Sequence, residues 1–300
     1  MRFQRIIFYV SLLLIPIIFF ATSLLLFRIA KQLAVAPDPF PLVKAADYPV
    51  LERAFSPLVT AQAAYIIDDT SKVVLYEKND TIRFSPASTT KMMTALVALD
   101  YYKLNDLLTI KRSGVEPVVV GFPYGAKVTL KDLLYSMFLP SGNDAAFAIG
   151  DNYPGGESAF VAAMNRKAKL LHLDNTHYGD PVGLADDQDY TTVRDMAILA
   201  SYVVNNPVLA PIIATKEKII TDSTGATYDL KNLNKLLGLY GVNGVKTGYT
   251  GEAGEVLATS AVIHGHTFII IVMRSQNRFA DTVKLLQLIT NNVSFVSIHP

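Results

Sequence analysis

Strand-like segments stand near both ends of this chain, and a long helical stretch separates them. Ala63 to Tyr76 reads as a hairpin, with Ala64-Tyr65-Ile66-Ile67 and Val73-Val74-Leu75-Tyr76 on either side of Asp68-Asp69-Thr70-Ser71. From Pro86 to about Val208 the apolar spacing is mainly helical, in segments near 88–101, 130–138, 143–151, 157–171 and 191–204. The strand pattern returns over 244–249, 254–263 and 267–273, and a closing helix follows from about Arg278 to Thr290. Strands so far apart can share one sheet only if the helical insert folds as a separate lobe. The order therefore predicts an α+β fold, with a crevice between sheet and lobe as the natural place for a ligand.

Composition narrows the function. The 300 residues carry 27 basic and 26 acidic side chains, a net charge of +1. No clustered positive footprint of the kind that grips phosphates is present, so nucleic acid is not an expected partner. The absence of Cys excludes disulfides, thiolate nucleophiles and Cys-ligated metal centres. His264 and His266 flank a glycine, and Asp186, Asp187 and Asp189 lack the spacing of a calcium loop. No metal and no cofactor are expected.

Residues 1–31 read as a membrane segment. Arg2 and Arg5 precede Ile6–Phe27, uncharged for 22 residues. As a helix it would span about 33 Å, enough to cross a hydrocarbon core. The expectation is an uncleaved single-pass anchor with the rest of the chain outside the cell membrane, facing the periplasm or cell wall. Secretion after cleavage near Ala34-Val35-Ala36 is the alternative. Residues 32–60, with Pro37, Pro39, Pro41, Pro49 and Pro57, read as a linker. Residues 61–292 are left as the working domain.

Three short motifs in that domain carry chemistry together. They are Ser88-Thr89-Thr90-Lys91, Ser141-Gly142-Asn143 and Lys246-Thr247-Gly248. Ser85-Pro86 reads as a helix cap followed by proline at the first helical position. Ser88 then lies in the first turn, where backbone N–H groups have no intrahelical partner, and Lys91 rises on the same face. A serine needs a base, and a lysine is one only when much of it is neutral. Burial, the positive end of the helix and a second cation, Lys246, would each push its pKa down. The uncharged run Met92 to Leu99 predicts that burial.

Ser141 can relay a proton, and the Asn143 amide can hold a substrate carbonyl. An ordinary turn explains that tripeptide taken alone. Gly244 to Thr250 reads as a strand beside which an extended peptide can pair. Lys246 and Thr247 would address a carboxylate, and the Tyr249 N–H would be a second oxyanion donor.

At these residues the sequence resembles the serine D-alanyl-D-alanine carboxypeptidases, the low-molecular-weight penicillin-binding proteins. The segments Ser85–Ala95, Leu139–Ala146 and Val245–Thr250, with Ala253-Gly254 and Ser260-Ala261, carry the resemblance. It implies the penicillin-recognising serine-peptidase fold, β-lactamase/transpeptidase-like, with a five-stranded antiparallel sheet and a helical lobe. It implies that Ser88 attacks the bond between two D-alanines of a peptidoglycan stem peptide, with Lys91 as base. Ser141, Asn143 and Lys246 would complete the catalytic set, and the Ser88 and Tyr249 amides would form the oxyanion hole. Lys246, Thr247, Gly248 and Tyr249 would bind substrate. Arg278 falls where the family places an arginine near the substrate carboxylate. β-Lactam antibiotics would be covalent inhibitors at Ser88.

Asp180-Pro181-Val182-Gly183-Leu184 departs from the Asn-Pro-x-Gly-Leu common in that family. An endopeptidase on cross-linked stem peptides shares all three motifs. A class A β-lactamase would have Asp where Gly142 stands and a Glu-x-x-Leu-Asn loop that is missing here. A non-catalytic, membrane-tethered cell-wall binding protein is the reading from another class.

Overall fold

Both ends of the chain contribute to one sheet, as the spacing of strand patterns requires. The computed structural model describes residues 46–53, 56–185 and 187–298. Of two units in the chain, Asp47–Ser297 holds all of these residues but 46 and 298. Its strands begin with β1 (Ala46–Leu51) and the hairpin β2 (Ala63–Asp68) and β3 (Val74–Lys78). A 3₁₀ turn, Ala87–Thr90, runs directly into α1 (Lys91–Tyr101). Two short strands, β4 (Leu107–Thr109) and β5 (Lys127–Thr129), precede α2 (Leu130–Phe138), α3 (Asn143–Asn152) and α4 (Gly156–Leu170). Then come α5 (Val193–Val204), α6 (Leu209–Ile213) and a second small hairpin, β6 (Glu217–Thr221) and β7 (Thr227–Lys231). The chain closes with β8 (Val242–Thr250), β9 (Gly254–Ile263), β10 (His266–Ser275), α7 (Arg278–Asn292) and β11 (Val293–Ile298).

The main sheet has five strands in the order β3-β2-β10-β9-β8, antiparallel throughout. It is a middle layer with apolar residues on both faces. Ile269, Ile271 and Met273 of β10 join the core shared with the helical lobe, while Phe268, Ile270 and Val272 pack with Leu285, Leu286, Leu288 and Ile289 of α7. That period-two division explains why β10 reads as an unbroken apolar run rather than an alternation. β8 is an edge strand, bonded on one side to β9, and its other side adjoins the 3₁₀ turn.

The structure adds to the sequence expectation in four places. β1 lies inside the stretch read as a linker over 32–60, and it pairs with β11, beyond the expected domain end at 292. The insert read as helical contains the pair β4–β5, and the pair β6–β7 follows it before the strand pattern returns. The expected cap is displaced by one residue: Pro86, not Ser85, holds the cap position of the 3₁₀ turn, and no side chain caps it. Among the described residues no helix is long and apolar enough to cross a membrane. The segment Ile6–Phe27, Pro37, Pro39, Pro41 and Asp186 lie outside those residues.

Candidate active site

Ser88 sits in the 3₁₀ turn and Lys91 is the first residue of α1. Three residues of separation bring them onto one face, and the Lys91 Nζ lies 2.9 Å from the Ser88 Oγ. Ser88 is half-buried, while Lys91 is 0% exposed. Every residue of α1 from Lys91 to Ala98 is buried, so the amine is shielded from bulk water. Its other contacts are the Asn143 Oδ1 at 2.8 Å and the Val182 carbonyl at 3.3 Å.

The second motif follows α2, which Thr129 caps by accepting the Asp132 N–H. The chain leaves that helix through Pro140 and reverses at Ser141, whose φ of 69° is in the left-handed region. A non-glycine residue held there costs roughly 1 kcal/mol, and such strain concentrates at functional sites. Asn143 opens α3. Its amide spans two groups: the oxygen accepts from Lys91, and the nitrogen donates at 3.3 Å to both the Val115 and Glu116 carbonyls. It is therefore a strut between Lys91 and the loop joining β4 and β5. Asp144 fixes the same loop by accepting the N–H groups of Val120 and Gly121, at 3.1 Å and 2.9 Å.

The third motif runs along β8. The Lys246 Nζ donates to the Ser141 Oγ at 2.8 Å and to the Thr247 carbonyl at 2.9 Å. Thr247 is buried, whereas the Tyr249 side chain is 64% exposed. Gly248 is where β8 meets the catalytic turn: a Cβ there would lie 3.2 Å from the Ala87 Cβ and the Pro86 oxygen and 3.3 Å from the Ser88 nitrogen. The glycine lets two backbones come this close. Arg278, first residue of α7, reaches over β9 and donates from Nη1 to the Gly248 carbonyl at 2.7 Å. Its backbone N–H donates to the Glu255 carboxylate at 2.7 Å.

Hydrogen bonds thus join Ser88, Lys91 and Asn143 in one group and Ser141 and Lys246 in another, with Gly248 and Arg278 along one wall. Burial pushes the Lys91 amine down to about 7, even though the Asp180 and Asp144 carboxylates pull it up. Burial also drives Lys246 well below its ordinary value, and the charges of Lys91 and Arg278 add to that push. The sequence suggested that Lys246 would depress Lys91. Burial comes first for both amines, and the Lys91 charge is among the causes that lower Lys246. A serine hydroxyl bonded to an amine that is about half neutral near pH 7 is an activated nucleophile.

Sequence reasoning missed two features. Val182 places its carbonyl on Lys91, and the Thr94 Oγ1 donates at 2.6 Å to the Pro181 carbonyl, which pins that loop to α1. Thr94 lies one turn after Lys91, a spacing that could have marked it. Among the described residues no three His, Cys, Asp or Glu side chains gather as a metal site.

The profile of a protein family described as D-alanyl-D-alanine carboxypeptidase matches residues 51–277. The D-alanyl-D-alanine carboxypeptidase DacF of Bacillus subtilis is 34% identical over 184 residues, 59% of this chain and 47% of that protein. The chain therefore spans about half the length of that relative. A D-alanyl-D-alanine endopeptidase of Escherichia coli is 32% identical over 218 residues, 71% of this chain and 69% of that protein. The crystal structure of the Streptomyces K15 DD-transpeptidase superimposes with a TM-score of 0.74 at 32% identity, covering 79% of this chain and 99% of that one.

Proposed function

The chain belongs to the D-alanyl-D-alanine carboxypeptidase family, and on that footing we propose that it is a serine D-alanyl-D-alanine peptidase that trims peptidoglycan stem peptides and binds penicillin covalently. The observation that carries this reading is the 2.9 Å contact between the Ser88 hydroxyl and a buried lysine amine.

In the proposed cycle an extended peptide lies along the outer edge of β8, its terminal carboxylate beside Lys246, Thr247 and Arg278. Neutral Lys91 takes the Ser88 proton as Oγ bonds to the carbonyl carbon between the two D-alanines. The Ser88 and Tyr249 N–H groups hold the resulting oxyanion. The intermediate collapses with cleavage of the C–N bond. The proton reaches the leaving amine through Ser141, which is hydrogen-bonded to Lys246. Terminal D-alanine departs, and water cleaves the Ser88 ester to free the shortened peptide. An incoming carboxylate opposes the burial and like charges that lower Lys246, so substrate binding favours its charged form. A β-lactam enters by the same first step and stays as an acyl group on Ser88.

The Escherichia coli relative's name supports endopeptidase action on cross-linked stem peptides as the second reading. We further propose that residues 1–31 anchor the chain in a bacterial cell membrane, with 32–45 as the spacer and the peptidase facing the periplasm or cell wall. The uncharged run Ile6–Phe27 supports this. The test is release of free D-alanine from a synthetic stem pentapeptide, measured beside cleavage of a cross-linked stem-peptide dimer. D-alanine release at a steady rate, abolished in Ser88→Ala, is expected. A chain that labels with penicillin but releases nothing from either substrate contradicts peptidase action.

A further inference from the structure

The loop Asp180-Pro181-Val182-Gly183-Leu184 touches four residues along one side of the catalytic turn and α1. Val182 accepts from the Lys91 Nζ, and Pro181 accepts from the Thr94 Oγ1. Gly183, at φ +85°, lies so close that a Cβ would stand 1.9 Å from the Ala87 oxygen and 2.8 Å from the Thr90 Oγ1. One side chain shapes this loop. The buried Asp180 carboxylate accepts the Val182 N–H at 2.7 Å and the Gly183 N–H at 2.6 Å through Oδ1, and the Leu184 N–H at 3.0 Å through Oδ2.

We propose that Asp180 is a positioning residue for Lys91: it folds the loop that holds the Val182 carbonyl on the amine, and it keeps a buried negative charge beside it. The proposal rests on the peptidase reading, in which neutral Lys91 is the base. Three backbone donors hold the Asp180 carboxylate stationary. Its charge favours the ammonium form of Lys91. The other charged groups facing Lys91 are Asp144 at the start of α3 and Lys246 on β8. Asp144 shares its charge with the loop N–H groups it accepts. Among the charges opposing the burial of Lys91, Asp180 ranks first.

The test is the second-order rate of acylation by a fluorescent penicillin between pH 5 and 9, on the full chain and on Asp180→Asn. Asparagine keeps an oxygen for the loop and removes the charge. Without that charge the ammonium form of Lys91 is less favoured, so the acid limb of the profile moves to lower pH, by roughly half a unit to one unit. At pH 6 the variant retains about threefold to fivefold more of its own plateau rate than the wild type does. A purely structural role lowers the plateau and leaves the midpoint in place, and that result, or a midpoint moved upward, overturns the proposal. If Asp180→Asn does not fold, Asp180→Ser, which also keeps an oxygen without charge, is read by the same criterion. A wild type that takes no label at Ser88 sinks the peptidase reading instead.

Discussion

Lys91 and Lys246 are two buried amines in one site, each far from its behaviour in water. Lys91 is 0% exposed and Lys246 1% exposed, so neither charge is screened by solvent. Two carboxylates partly offset the burial of Lys91, and none does so for Lys246. With neutral Lys91 as the base, acylation should rise with pH through about 7 and level off above it. Below that midpoint the rate should fall roughly tenfold per pH unit, as the fraction of free amine falls. A flat profile from pH 5 to 8 in stopped-flow acylation would remove Lys91 from the role. Lys91→Ala should slow acylation by about 10²–10⁴ while leaving the far-ultraviolet spectrum of a folded chain. The pairing of Ser88 with Lys91 was legible because helical geometry decides it within four residues. The Val182 carbonyl was not, since it is brought to Lys91 by a loop 91 positions away in the chain.

Among the elements, the 3₁₀ turn meets the edge strand β8 at Gly248 and the 180–184 loop at Gly183, two glycines whose neighbours crowd any side chain. Gly248→Ala would put a methyl group 3.3 Å from the Ser88 nitrogen. Penicillin acylation should drop at least tenfold, with a melting temperature within a few degrees of wild type, because the crowding is confined to the turn. Gly183→Ala is harsher: its Cβ would overlap the Ala87 carbonyl at a positive φ. A loss of about 2–4 kcal/mol in urea unfolding is expected there. Sequence patterning found α2 and the strands β8 to β10 within a few residues, because long apolar runs with clear periods define them. It did not find β4–β5 or β6–β7, whose strands are three to five residues long. β1 and β11 escaped for another reason. Neither carries a strong pattern, and each exists by pairing with a partner at the opposite end of the domain.

For the whole domain, the two ends of the sequence are fastened by one carboxylate. Asp281, in the first turn of α7, accepts the Thr60 N–H, the Thr60 hydroxyl, the Ala61 N–H and the Ser275 hydroxyl at 2.7–2.9 Å. Burial alone would raise its pKa, but the hydrogen bonds from Thr60 and Ser275 outweigh that and hold it below the ordinary carboxylate value. A depressed folded value means the stabilisation is complete above about pH 4 and is lost as pH falls through the folded value. Asp281→Ala should cost about 2–4 kcal/mol at pH 7, by chemical denaturation, and less when the comparison is made at pH 3. A gap that stays constant between those pH values would contradict the assignment. The peptidase account itself is tested most directly by intact-mass spectrometry of the full chain after incubation with benzylpenicillin. The account predicts one adduct of the antibiotic's mass on the wild type, mapped to Ser88 and missing in Ser88→Ala. An unmodified wild type, or an adduct that survives in Ser88→Ala, would contradict it.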